Sequence, residues 1–149
     1  YGKTKFLAEK LLLKKLKRSQ IKVCIGRIFS FTDKKQKEPF VIPSIKKKME
    51  NAKNKIIFEN MNHFRDFLST NDIIAAINIL LKTRKSGIYN IGSGKKFDLK
   101  KIVKLFNKKK KKIVFKDTKR TTYLISNNNK IIKTKWKPSK FKNNIKYFY

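Results

Sequence analysis

The chain has 149 residues, 40 % of them hydrophobic, which is about one domain of sequence with enough apolar content for a core. No apolar run approaches the roughly 18 residues that span a bilayer, the single cysteine Cys24 excludes a disulfide scaffold, and no His/Cys cluster offers a zinc site. Lys and Arg number 41 against 9 acids, a net charge of +32, and a balance of that kind points to nucleic acid or another polyanion unless something else explains it.

In chain order, the first twenty residues read as an amphipathic helix. Phe6, Leu7, Leu11, Leu13 and Leu16 recur at near-helical spacing, with lysines on the other face. Ile21 to Phe29 is short and β-branched and predicts a buried strand, with Cys24 inert inside it. Ser30 to Pro39 is polar and predicts a loop. Pro43 suits a first helical turn, so a helix is expected from there to about Lys53.

Short strands are expected at Lys55 to Glu59 and Phe64 to Leu68. Ser69 or Thr70 can cap a helix from Asn71 to about Thr83, with Ile73, Ile74, Ile77 and Leu80 as its buried face. Gly87 to Ile91 reads as a strand closed by a Gly92-Ser93-Gly94 turn. Asp98 is a suitable N-cap for a helix from Leu99 to Asn107. Ile113 to Lys116 predicts a last strand, Asn127 a cap for a short helix ending before Lys135, and the residues after Pro138 a poorly packed tail. This alternation of strands and helices predicts the α/β class.

The charge has an ordinary explanation. Only five of the cations are arginine (Arg18, Arg27, Arg65, Arg84, Arg120), whereas phosphate readers favour the bidentate guanidinium. Lys, Ile and Asn are abundant together, and all three have AT-rich codons. Genome composition laid over a common fold is the preferred reading, with charge selected for a polyanion as the rival. The run Lys108 to Lys112 reads as a solvated helix end.

Tyr1 and Lys5 are four apart, which puts them on one helical face. A phenol is a poor proton carrier at neutral pH. An ammonium at about 4 Å stabilises a phenolate by roughly 4 kcal/mol at an effective dielectric near 20, but by only about 1 kcal/mol in bulk water. A Tyr-x-x-x-Lys pair therefore serves acid–base chemistry only where water is excluded. With lysine so common here, a plain helix-surface pair is the alternative.

Five blocks in order carry more weight: YGKTKFLAEKLL, a strand ending GRIFS, RDFLSTNDIIAAI, GIYNIGSG and NNNKIIKTKWKPS. From Tyr1 to about Pro138 they resemble the C-terminal half of the extended short-chain dehydrogenase/reductase family, the NAD-dependent epimerases, dehydratases and reductases of nucleotide sugars. The stretch FSFTDKKQKEPFVIPSI is most similar to the branch acting on GDP-6-deoxy-4-keto-mannose.

The resemblance implies an NAD(P)-binding Rossmann part (residues 1–29 and about 71–93) interleaved with a small α/β nucleotide-sugar lobe (about 30–70 and 94–138) and a tail (139–149). It implies that Tyr1 exchanges a proton with the sugar's 4-oxygen while the nicotinamide of NAD or NADP exchanges a hydride at that carbon. Lys5 would hold the nicotinamide ribose. Ile28 and Phe29 would lie beside the cofactor, and Ser30 would stand at a sugar contact where many members have Asn. Phe29 could equally be core.

Arg65 and Arg120 match phosphate-facing arginines. A salt bridge with Asp66 is the alternative for Arg65, and Arg120 lacks the proline and acid that usually follow. Pro43 and Ser44 match the nucleotide pocket, although helix initiation alone accounts for Pro43. Asn90, Gly92, Gly94, Lys130, Trp136 and Pro138 match architectural positions, and His63 reads as a surface residue.

The implied partners are a nucleotide-diphosphate sugar and, in the whole enzyme, a second copy joined through the Tyr1 helix; neither membrane nor nucleic acid is expected, and the location expected is cytoplasmic. The chain lacks the glycine-rich turn that cradles a dinucleotide pyrophosphate. With neither an initiator Met nor a signal-peptide pattern, it is expected to be part of a longer protein and inactive by itself. A basic polyanion-binding module and an inactive remnant stand as the alternatives.

Overall fold

The computed structural model describes residues 1–140. Its helices are α1 (Gly2–Leu16), α2 (Val41–Asn51), α3 (Thr70–Lys82), α4 (Leu99–Phe106) and α5 (Asn129–Ile132). Its strands are β1 (Cys24–Ile28), β2 (Ser30–Thr32), β3 (Lys55–Glu59), β4 (Phe64–Arg65), β5 (Phe67–Ser69), β6 (Gly87–Ile91), β7 (Phe97–Asp98), β8 (Lys112–Lys116) and β9 (Tyr123–Leu124). Three parallel pairs form, β1 with β6, β2 with β5 and β3 with β8, beside a mixed sheet in the order β7-β4-β9. Parallel pairing needs helical crossovers, and α2, α3 and α4 lie between the paired strands in the chain. The α/β class expected from the sequence is the class found.

Periodicity explains which residues go inside. In α2 and α4 the buried residues are Ile42, Ile45 and Met49, and Leu99, Ile102, Val103 and Phe106, at helical spacing. Along β3, Ile56 and Phe58 alternate inward. Together with Phe67 these residues form one core. A second core gathers Leu68, Ile73, Ala76, Leu80, Tyr89, Ile91, Ile131 and Trp136 around α3 and β6. Ile131 and Trp136 join this second core from the C-terminal end of the described residues.

Caps mark the helix starts. Ser69 and Asp72 form a reciprocal capping box on α3, and the Asp98 carboxylate accepts from the Lys100 and Lys101 amides on α4. Asn128 occupies the N-cap of α5, while Asn127 supports it by accepting from the Asn129 amide at 3.3 Å.

Several expectations need correction. Ser30 to Thr32 is strand, not loop, because it pairs in register with Phe67 to Ser69. The buried face of α3 is Ile73, Ala76 and Leu80, whereas Ile74 and Ile77 are 51 % and 40 % exposed. β1 is mostly exposed instead of buried, and Cys24 with it; packing around the sulfur still raises its thiol pKa, with Lys130 opposing. No residue of α1 is buried, and its Glu9 grips Arg27 of β1 through two hydrogen bonds of 2.9 and 2.5 Å. Lys111 is no idle member of a charged run: its ammonium donates to the Met49 and Ala52 carbonyls (2.7 and 2.5 Å) at the C-terminal end of α2. Ser139 is anchored on the Asp72 carboxylate, so the expected tail begins later; the rest of it, from residue 141, lies outside the described residues.

Candidate active site

Tyr1 occupies the N-cap of α1, and the Lys5 amide donates to its carbonyl at 3.1 Å, so the first helical turn closes between them. The Lys5 ammonium sits 5.5 Å from the centre of the Tyr1 ring, on the shared face that the spacing predicts. The ring is 96 % exposed, so water screens the pair and nothing in the described residues closes over it.

From α1 the chain enters β1, whose far end carries the next candidates. Ile28 is 47 % exposed. The Phe29 amide donates to the Ile91 carbonyl at 3.0 Å, extending the β1–β6 ladder by one residue. Phe29 and Ser30 then line a cavity of about 250 Å³ with Phe31, Phe40, Ile42 and Phe67. A second cavity of about 330 Å³ is lined by Pro43 on α2 and by charges of both signs, Lys34, Lys37, Lys46 and Lys47 with Asp33, Glu38 and Glu50. Gln36 and Ile42 line both, so an aromatic cavity and a charged cavity adjoin. Ser44 lines a third cavity with Lys48, Asn51 and Lys55, which shares Glu38 and Lys47 with the second.

Arg65 makes no ion pair with Asp66. Its guanidinium donates to the Phe64 carbonyl (2.8 Å) and to the Thr122 hydroxyl (2.9 Å), and partial burial lowers its pKa without threatening its charge at neutral pH. Asp66 is fully buried and points the other way. It accepts from the amides of Ser93 (2.7 Å), Gly94 (2.9 Å) and Ser126 (3.1 Å) and from both serine hydroxyls (2.5 Å each), tying the β6 turn to β9. Arg120 is exposed, and its carbonyl accepts from the Asn62 amide. His63 is half-buried instead of superficial: its Nδ1 accepts from the Thr122 amide at 3.1 Å, a structural contact. Asn90 bonds the Asn127 carbonyl, Lys130 the Ile88 carbonyl, and the Trp136 indole the Asp72 carbonyl, all as architecture.

The glycines test the fit of a dinucleotide. A Cβ on Gly26, Gly87, Gly92 or Gly94 would meet Ile91, Lys130, Ser126 or Asn128 within van der Waals distance, so these glycines are filled by the protein's own side chains. Only Gly2, in α1, faces open space. The glycines thus supply no cradle for a dinucleotide pyrophosphate.

Sequence reasoning missed Gln36 and Asp66. Gln36 was a polar residue in a stretch read as loop. Asp66 was treated only as a partner for Arg65, although an Asp in an apolar run signals a carboxylate that must find donors.

A family model described as GDP-mannose 4,6 dehydratase matches residues 1–146. No curated protein matches the chain. Solved structures do. RMD from Pseudomonas aeruginosa, complexed with NADPH, matches at 23 % identity and a TM-score of 0.83 over 93 % of this chain and 50 % of its own. A UDP-glucuronic acid 4-epimerase from Bacillus cereus, with a fluorinated UDP-sugar and NAD, matches at 21 % and 0.80 over 93 % and 47 %. The dTDP-glucose 4,6-dehydratase of Bacillus anthracis, with NAD, matches at 22 % and 0.75 over 89 % and 45 %. The chain therefore spans about half the length of these proteins, and the fold it shares with them is part of a Rossmann-type α/β fold.

Proposed function

The chain belongs to the GDP-mannose 4,6 dehydratase family, among the extended short-chain dehydrogenases/reductases, and we propose that it forms the sugar-binding part of an NAD(P)-dependent enzyme acting at C4 of a nucleotide sugar. The observation that carries this is that an aromatic cavity lined by Phe29 and Ser30 adjoins one lined by Pro43, four lysines and three carboxylates. The aromatic cavity suits a hexose and the lysines of the charged one a diphosphate. Arg65 supports the diphosphate reading through a guanidinium held in place on Thr122. The solved relatives, complexed with NAD or NADPH and in one case a UDP-sugar, support the cofactor and substrate class.

In this reading Tyr1 passes a proton to or from the sugar's 4-oxygen, and Lys5 favours its phenolate once the site is closed from water. NAD(P), when bound, supplies hydride exchange at C4. The glycine-rich turn that holds it comes from outside these 149 residues, as does the cover that dries Tyr1. Residues 1–29 and 71–93 then belong with the cofactor sheet, 30–70 and 94–138 with the sugar, and the whole enzyme is a cytoplasmic homodimer. Arg120 gives the phosphates a second, more peripheral contact. Pro43 lines the charged cavity and Ser44 the one beside it.

The test is hydride transfer between a nicotinamide cofactor and GDP-, UDP- or dTDP-linked sugars in the protein joined to its glycine-rich part. Tyr1→Phe lowers the rate by about two to four orders of magnitude and leaves cofactor affinity intact. A variant with a rate near wild type would remove Tyr1 from the chemistry.

A further inference from the structure

We propose that Glu9 and Arg27 are positioning residues for the acid–base pair, setting the rotation and tilt of α1 so that Tyr1 meets the sugar at the end of β1; this rests on the reading of Tyr1 and Lys5 given above. Glu9 follows Lys5 by four residues and Tyr1 by eight, so the three share one face of the helix. That face reaches β1 through Glu9. Its two carboxylate oxygens accept from Nε and Nη2 of Arg27 at 2.9 and 2.5 Å, a side-on fork. Arg27 stands one residue before Ile28 and two before Phe29, the candidates for contact with the cofactor.

Burial gives α1 little hold. No residue of the helix is buried, and among the described residues Glu9 makes the only hydrogen bonds or ion pair between a side chain of α1 and another element. Exposed ion pairs are generally weak, and a bidentate guanidinium–carboxylate pair is the exception. The Glu9 side chain is 12 % exposed against 46 % for Arg27, so the carboxylate is the sheltered partner. A single contact fixes a distance. Two bonds to a planar guanidinium fix a direction as well.

Leverage makes that direction matter. Eight residues of helix put Tyr1 roughly 12 Å along the axis from Glu9. A tilt of about 5° at the fork then carries Tyr1 by about 1 Å. An error of that size at a reacting group costs on the order of a hundredfold in rate. The loss falls on proton transfer and not on sugar binding, because the sugar is held by the cavity residues and Arg65, none of which lies on α1.

The experiment measures hydride transfer with GDP-, UDP- and dTDP-linked hexoses in the protein joined to its glycine-rich part. It compares Glu9→Gln, Arg27→Lys, and each of these added to Tyr1→Phe. Glu9→Gln removes the charge from the fork, whereas Arg27→Lys keeps the charge and removes the plane. Each single substitution lowers kcat by about ten- to a hundredfold and moves the KM for the sugar by less than about twofold. Added to Tyr1→Phe, each lowers the remaining rate by less than about twofold, because no phenol is left to place. Should Glu9→Gln fail to fold, Arg27→Lys carries the same comparison. A kcat near wild type, a loss confined to KM, or an equal further loss in the Tyr1→Phe background would overturn the positioning role and leave Tyr1 in the chemistry. A Tyr1→Phe protein as fast as wild type, or a wild type that turns over none of the sugars, would instead remove the acid–base reading, and the role of Glu9 and Arg27 with it.

Discussion

Asp72 carries two jobs on one carboxylate. One oxygen closes the α3 capping box with the Ser69 amide and hydroxyl (3.1 and 2.7 Å), and the other accepts from the Ser139 amide at 2.9 Å and the Ser139 hydroxyl. Burial alone raises its pKa, but the Ser139 and Ser69 bonds outweigh it and leave the folded value lowered. A folded pKa below the unfolded one gives stability that is present above the unfolded value and lost as pH falls through the folded value. Asp72→Asn is therefore expected to cost about 1–3 kcal/mol near neutral pH, with the gap to wild type closing below about pH 4. Thermal melts across pH check this, and a gap independent of pH would contradict it. At this scale the sequence showed the cap, since Ser69 and Asp72 are neighbours along the chain. It could not show Ser139, nor the five donors on Asp66, because those partners arrive from distant elements.

Elements were legible where the pattern is local. The strands at Lys55 to Glu59 and Gly87 to Ile91 have their predicted bounds, and α4 starts at its Asp98 cap. What failed was facing. The isoleucines of α3 outweighed Ala76 in a reading by hydrophobicity, yet the small residue is the one pressed against the core, fully buried. Periodicity says that a face exists and packing says which one. The turn after β6 is set by contact. A Cβ on Gly92 would strike the Ser126 side chain and come within 2.7 Å of the Asp66 carboxylate, and both of these are held by hydrogen bonds. Gly92→Ala should lower stability by about 1–3 kcal/mol, read as a drop in melting temperature. An unchanged melting temperature would mean that this junction yields freely.

At the scale of the whole molecule, the apolar surface is only partly covered. The chain spans about half the length of its solved relatives, and large apolar side chains are more than half exposed on α1 (Leu7, Leu11), before β1 (Ile21), on α3 (Ile74, Leu81) and on β9 (Tyr123). An amphipathic helix and a β-branched strand, both located from the sequence, thus stand exposed where the pattern predicts burial. The candidate site divides the same way. Its cavity residues are brought together, whereas Tyr1 and Lys5 stand in water. The net charge of +32 is the other whole-molecule property, and it separates the two leading accounts. A polyanion binder uses its lysines collectively, while a nucleotide-sugar site depends on a few placed groups.

Titration of the protein with GDP-mannose, in wild type and Arg65→Lys and repeated at several salt concentrations, separates them most directly. The nucleotide-sugar account predicts saturable one-to-one binding with a shallow salt dependence, weakened by about tenfold when the planar fork of Arg65 becomes a point charge. The contrary result is no saturable binding of GDP-mannose, together with affinity for duplex DNA that falls steeply with salt and ignores the substitution.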